Sequence, residues 1–318
     1  MNIIGFVGLA AARQLLKRYI VSPKTPSESV IEAIPLLALR DSAVLSRIAY
    51  LSPTEISMMD KTDIATIAEK NMKSRIVASD NLVFYDATEN GSILGSTQAY
   101  SWVEKDARVA YLFFRGTDCP KDVLTNLDVR HKRLGKSSAK GVKVHQGFLS
   151  QFNFIEPHIT EYLKKHRTDF DEIVCTGHSL GGALATLAAA FYSDDAEHTP
   201  SKNGPWTTHC HTFGCPRVGN AAFSRHFADL VPKDRHWRVF HFEDPVPMIP
   251  ISFRFVHTIG NGMCLGDDDG LVKIVTRDCP WYLRWLQGAI SVHLLKPIAA
   301  HDMLDYVLKL DGLTREPL

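Results

Sequence analysis

The sequence predicts an α/β protein: a mixed, mostly parallel central sheet with helices on both faces, plus an N-terminal helical segment. Three observations carry this. From about residue 145, strand-like apolar runs alternate with helix-like stretches, the pattern of a parallel sheet covered on both faces. Before that, three strand-like runs follow one another with turn residues between them, which adds antiparallel strands and makes the sheet mixed. Residues 1 to about 78 instead carry apolar positions three and four apart, the spacing of helices. The expected division is a helical extension over 1–78 and an α/β domain over 79–318.

In the first twenty residues, the apolar run 3–12 is followed by Arg13, Lys17 and Arg18. A secretory signal carries such charges in front, so a cytoplasmic or membrane-peripheral location is expected over a secreted one. Leu9, Arg13, Leu16 and Ile20 have helical spacing, which gives a short amphipathic helix lying on a membrane surface or against the core. Helices are expected over 31–50 and 53–71, punctuated by Pro23, Pro26 and Pro53. Strands follow over 82–86, 93–103 and 108–114, with turns at Asn90-Gly91 and 104–107. Helix 148–166 precedes strand 172–176, helix 180–192 precedes strand 206–213, and helix 221–230 precedes strand 237–242. Helices near 281–293 and 299–309 close the chain.

Composition narrows the function. Of 318 residues, 45% are hydrophobic and 22% charged, enough to bury a large core. Thirty-six basic against thirty-five acidic residues leave +1, which gives no sign of a nucleic-acid partner. No run of about 20 apolar residues exists to span a bilayer. The six cysteines contain no C-x-x-C pair; Cys175 reads as buried packing, and a Cys264–Cys279 bridge stays open. Asp267-Asp268-Asp269-Gly270 reads as a solvated turn rather than a calcium loop. The basic stretch Arg130-His131-Lys132-Arg133, with Lys136, Lys140 and Lys143, reads as a solvated loop, with approach to an anionic lipid surface as the alternative. Trp281, Tyr282, Trp285, Leu286 and Ile290 read as core before they read as a lipid-facing surface.

The sharpest signal is Gly177-His178-Ser179-Leu180-Gly181, a G-x-S-x-G. The apolar strand Ile173-Val174-Cys175 enters it and an Ala-rich helix leaves it. That context places a serine on a strained strand-to-helix turn with its oxygen exposed at the sheet edge. Side chains at 177 and 181 would crowd the turn, and the helix N-terminus favours a developing oxyanion.

A nucleophilic serine needs a base, and the base an orienting acid. Asp244, just past strand 237–242 and fixed in a turn by Pro245, is the candidate acid; Glu243 is its neighbour and competitor. Among fourteen histidines, His301 begins an apolar-periodic helix late in the chain and is the candidate base, with His257 as the structural alternative. His178 adjoins the nucleophile, with its side chain expected to point away.

With these residues in view, the chain resembles the fungal-type class 3 lipase family of α/β-hydrolases over about 80–310. Phe114-Arg115-Gly116-Thr117 resembles the family's oxyanion strand end, and Val144-His145-Gln146-Gly147-Phe148 its next block. Thr-Gly-His-Ser-Leu-Gly-Gly over 176–182 resembles the nucleophile elbow. Thr212-Phe213-Gly214-Cys215-Pro216-Arg217-Val218-Gly219-Asn220 resembles the block after the following strand, and Asp244-Pro245-Val246-Pro247 the acid loop. Phe255-Val256-His257-Thr258-Ile259-Gly260 resembles a histidine block that is not the base, and His301-Asp302-Met303-Leu304-Asp305-Tyr306 the base helix.

The resemblance implies an α/β-hydrolase fold, the triad Ser179, Asp244 and His301, and an oxyanion hole from Thr117, through its N–H with its hydroxyl as a further donor, and the Leu180 N–H. It implies hydrolysis of lipid esters through an acyl-enzyme, with no metal and no organic cofactor. Acylglycerols are the leading substrate class, followed by phospholipids cleaved by a phospholipase A1 and by soluble feruloyl or short-chain esters. A non-catalytic scaffold fits least, because the triad residues are all present. Phe148, His178, Val246, Ile249 and Leu304 are candidate substrate-binding residues from motif adjacency. The segment 118–127 stands where relatives carry a lid, but has no tryptophan, which implies a short or weakly amphipathic one.

Overall fold

The structure is a computed structural model. It describes residues 35–58, 66–87, 97–117, 130–133, 141–194, 206–241, 244–250, 252, 254–265, 272–275 and 301–315. In chain order the elements are α1 Leu36–Ile48, α2 Pro53–Met58, α3 Ile67–Val77, β1 Val83–Ala87, β2 Thr97–Glu104, β3 Val109–Phe114, β4 His131–Arg133, β5 Lys143–His145, α4 Gln146–Lys165, β6 Glu172–His178 and α5 Leu180–Asp194. There follow β7 Thr207–Phe213, α6 Ala221–Leu230, β8 His236–His241, β9 Asn261–Leu265, β10 Val272–Val275 and α7 Met303–Arg315, with single 3-10 turns at Lys233–Arg235 and Val246–Met248.

Eight strands form one sheet in the order β1-β2-β3-β6-β7-β8-β9-β10. The pairs from β3 through β6, β7 and β8 to β9 are parallel, and antiparallel strands flank them on both sides. The mixed, mostly parallel centre is therefore as the sequence predicts. Register aligns the ends of three strands: Phe114 pairs with Gly177, and Gly177 with Thr212. The end of β3, the serine turn and the close of β7 thus meet at one rim.

Two apolar cores lie on opposite faces of the sheet. On one face α4, α5 and α6 pack through Phe148, Phe152, Ile155, Leu184, Leu187 and Phe223 against Leu112, Phe114, Ile173 and Cys175. Helix α5 is buried almost throughout, which suits its alanine-rich, uncharged run. On the other face α1, α2, α3 and α7 pack through Leu39, Val44, Ile56, Met72 and Val307 against Tyr100, Phe113, Phe213 and Val239. The N-terminal helices therefore complete the second layer. A buried polar seam fixes α1 there: Ser46 Oγ lies 2.9 Å from Thr176 Oγ1, and Ser42 Oγ 2.8 Å from His211 Nδ1.

Several boundaries differ from the sequence reading. The expected helix 53–71 resolves into α2 and α3. The closing helix begins at Met303, because Asp302 Oδ1 accepts the Leu304 N–H at 3.0 Å and starts it two residues past His301. Arg130–Arg133, expected to be a loop, contributes a three-residue strand paired with Lys143–His145. It was missed because it is short, charged and without alternation. β9 and β10 were missed because they too are short, five and four residues; β9, Asn-Gly-Met-Cys-Leu, also has a glycine where a strand signal would be strongest. The expected N-terminal amphipathic helix, the 118–127 segment, Lys136, Lys140, Asp267–Asp269, Cys279 and the aromatic helix near 281–293 lie outside the described residues.

Candidate active site

Ser179 follows the last residue of β6 and precedes the first of α5, with φ +56°, the left-handed region that a non-glycine residue occupies at a cost of roughly 1–3 kcal/mol. Its turn is over-determined. Ser179 N–H donates to Phe213 O at 2.9 Å, and Gly182 N–H to Ser179 O at 3.0 Å. A Cβ on Gly177 would run into the Gly181 carbonyl, and one on Gly181 into the Phe114 carbonyl. The close packing expected of these glycines is thus present.

Asp244 and His301 meet 57 positions apart in sequence: His301 Nδ1 lies 2.7 Å from Asp244 Oδ2, and both residues are almost fully buried. The carboxylate has two more donors, Tyr306 Oη to Oδ2 at 2.8 Å and the Val246 N–H to Oδ1 at 2.9 Å. Tyr306 Oη in turn accepts the His241 N–H at 3.0 Å. Gly214, at φ +55°, backs the pair so closely that a Cβ there would sit 2.7 Å from Asp244 Oδ2 and 2.9 Å from the His301 ring. Among the described residues, His301 Nε2 and Ser179 Oγ are both buried without a hydrogen-bond partner, so they are not bonded to each other. Such contacts commonly tighten only when substrate binds.

Thr117 follows Gly116, whose Cβ position lies 3.2 Å from Ser179 Cβ and 2.7 Å from His178 O. Its Oγ1 is buried without a partner among the described residues. Leu180 opens α5, where the first N–H groups have no intrahelical acceptor. Both residues expected to polarise an oxyanion therefore flank the serine.

His178 departs from expectation. Its side chain lies on the triad side, with its ring 4.4 Å from that of His301 and 5.8 Å from that of Tyr306. Burial, reinforced by His301, holds its pKa well below the ordinary histidine value, so it stays neutral. Tyr50 Oη lies 2.8 Å from its Nδ1. Of the other candidate substrate residues, Phe148 is fully buried in the first core with its ring 4.2 Å from His145. Val246 and Ile249 are buried, Val246 reaching the triad by its backbone, and Leu304 is half-buried in the first turn of α7. His257 is structural, its carbonyl accepting Ser224 Oγ at 2.8 Å. Glu243 lies outside the described residues. The sequence reading missed the roles of Tyr306 and Tyr50. Tyr306 had a local signal, five positions after His301; Tyr50 had none.

The family model Lipase (class 3) matches residues 111–253. A lipase of Rhizopus niveus is 34% identical over 172 residues, 52% of this chain and 41% of that protein. Secreted mono- and diacylglycerol lipase 1 of Fusarium solani is 30% identical over 174 residues, 53% of this chain and 48% of that protein. The chain thus spans less than half of either relative's length. Among solved structures, lipase II from Rhizopus niveus superposes with a TM-score of 0.60 at 25% identity, covering 84% of this chain and 92% of that one. The expected cytoplasmic or membrane-peripheral location is corrected by these relatives: the Fusarium solani protein is named as secreted, which points to secretion. The expectation rested on the order of charges around residues 3–12, a local pattern outside the described residues. Motif order and the sheet agree with the family-model match, so over residues 111–253 the chain is similar to the class 3 lipase family.

Proposed function

We propose that this chain hydrolyses carboxyl esters of lipids, with acylglycerols as the substrate class, through an acyl-enzyme on Ser179. The observation that carries the reading is the buried Asp244–His301 hydrogen bond beside a serine held at positive φ on a strand-to-helix turn. In the first half-reaction Ser179 Oγ bonds to the ester carbonyl carbon while its proton passes to His301 Nε2. Asp244, accepting from Nδ1–H, fixes the tautomer that leaves Nε2 as the acceptor and stabilises the resulting cation. The carbonyl oxygen, now an alkoxide, takes the Thr117 and Leu180 N–H groups and the Thr117 hydroxyl. One such donor is worth roughly 2.7–4 kcal/mol. His301 then gives its proton to the leaving alcohol as the carbon–oxygen bond breaks. In the second half a water loses its proton to His301, attacks the acyl carbon and releases the acid, and the proton returns to Ser179.

The relatives named as lipases and as a mono- and diacylglycerol lipase support a lipid ester as substrate. A chain-length series of nitrophenyl esters beside triglyceride, diglyceride and phosphatidylcholine emulsions tests this, with Ser179→Ala as control. The reading expects turnover of acylglycerol emulsions that the substitution abolishes. Activity confined to soluble C2–C4 esters would make the protein a plain esterase, and cleavage of phosphatidylcholine alone a phospholipase.

A further inference from the structure

We propose that Tyr50 is a positioning residue for the base: acting through His178, it sets the orientation of the His301 imidazole between Asp244 and Ser179. The inference rests on the hydrolase reading above and extends the site to the turn after α1, outside the matched residues 111–253.

The placement of Tyr50 is fixed from several directions. It closes the turn after α1, with its N–H donating to Arg47 O at 3.1 Å and the Leu51 N–H to Ile48 O at 2.9 Å. Tyr100 Oη donates to Leu51 O at 2.5 Å. Upstream, the Ser42, Ser46, Thr176 and His211 seam clamps α1 onto β6 and β7, the strands that end at the serine turn and at Gly214. Buried polar contacts of this kind specify one docking of the helix, because any other would leave them unpaired.

From that position one hydroxyl serves two parts of the site. It bonds to His178 Nδ1 at 2.8 Å, and it fills the space that a Cβ on Gly116 would need. The first contact orients the ring on which His301 rests, 4.4 Å away and tilted by 35°. The second backs the strand end that carries Thr117. The Arg115 guanidinium lies over the Tyr50 ring, 5.7 Å from its centroid. His301 is therefore constrained at Nδ1 by Asp244 and across its face by His178, leaving Nε2 for the serine.

The chemistry of His178 fits this role. A neutral imidazole has one acceptor and one donor nitrogen. A hydroxyl donated to Nδ1 makes that nitrogen the acceptor and puts the proton on Nε2. A neutral ring also adds no second positive charge beside His301 at the moment His301 takes the serine proton.

The test is a double-mutant cycle in the full chain with a nitrophenyl ester and a tributyrin emulsion: wild type, Tyr50→Phe, His178→Phe and the pair. His178→Phe keeps a ring against His301 but offers Tyr50 no acceptor. The rate constant of inactivation by a nitrophenyl phosphonate is measured alongside, since it reports each folded site whatever fraction of the sample is folded. We expect Tyr50→Phe to lower kcat and the phosphonate rate about 10- to 100-fold, with KM changed less than about twofold. In the His178→Phe background the same substitution should change either rate less than about twofold. A wild-type phosphonate rate in Tyr50→Phe, losses that multiply in the double variant, or a change in KM alone would overturn the inference while leaving the hydrolase reading intact. A wild-type chain inert to both esters and phosphonate would overturn both.

Discussion

Tyr306 Oη and His301 Nδ1 share one oxygen of Asp244, at 2.8 and 2.7 Å, with Tyr306 in the first turn of α7 and His301 two residues before that helix begins. The candidate base and the group that braces its candidate acid are thus delivered by one short segment. Removing the Tyr306 hydroxyl would leave Asp244 Oδ2 with one donor and the His241 N–H without its acceptor. Tyr306→Phe is expected to cost roughly 1–3 kcal/mol of stability and to lower kcat about 10-fold as Asp244 and the imidazole lose their alignment. Urea unfolding and steady-state kinetics measure the two effects; an unchanged kcat would show that the brace is structural only.

Asp244→Asn tests the tautomer argument. An asparagine can keep a hydrogen bond to Nδ1 but favours the wrong tautomer, leaving Nε2 protonated and unable to accept from Ser179. The expected loss in kcat is about 10⁴-fold with little change in melting temperature. A loss below tenfold would move the acid role elsewhere, with Glu243 the first place to look.

Gly214 separates backbone from side-chain requirements. Its φ of +55° and the 2.7 Å approach of a would-be Cβ to Asp244 Oδ2 leave no room for a methyl group. Gly214→Ala is expected to reduce activity at least about 100-fold by displacing Asp244 and His301, while a neighbouring Cys215→Ala should be far milder. Equal, small effects of both would contradict the close packing.

How much of this was legible beforehand depends on how local the signal was. Ser179 was readable because the glycines at 177 and 181, the strand before and the helix after all lie within about fifteen residues of it. Asp244 and His301 were readable through chain order and their places at element ends. Tyr50 and the Ser42–His211 seam were not, since their partners lie 128 and 169 positions away and nothing in a serine or tyrosine on a helix announces a distant histidine. Phe148 shows the opposite error: nearness to a motif suggested substrate contact, whereas its ring is core packing. The direction of the His178 side chain was misjudged because a turn at positive φ re-aims its neighbours in a way that residue order does not reveal.

Acid should destabilise the fold through buried neutral histidines. Burial pushes His211 and His236 down to about 3, against 6.5 in the unfolded chain. As pH falls below about 6.5 the unfolded state takes protons that the folded state refuses. Stability is therefore whole above pH 6.5 and drains away towards pH 3, by up to roughly 1.4 kcal/mol per pH unit for each such histidine. Melting temperature measured from pH 7.5 to 4 should fall accordingly, and His211→Asn should flatten the slope. An identical slope in that variant would show that His211 carries none of the linkage.

The central claim is that Ser179 is a nucleophile activated by His301. Its most direct test is covalent: intact-mass and peptide analysis after reaction with a nitrophenyl phosphonate. The account predicts one adduct per chain, located on Ser179, absent in Ser179→Ala and formed far more slowly in His301→Ala. An adduct on another residue, or ester turnover persisting in Ser179→Ala, would contradict it.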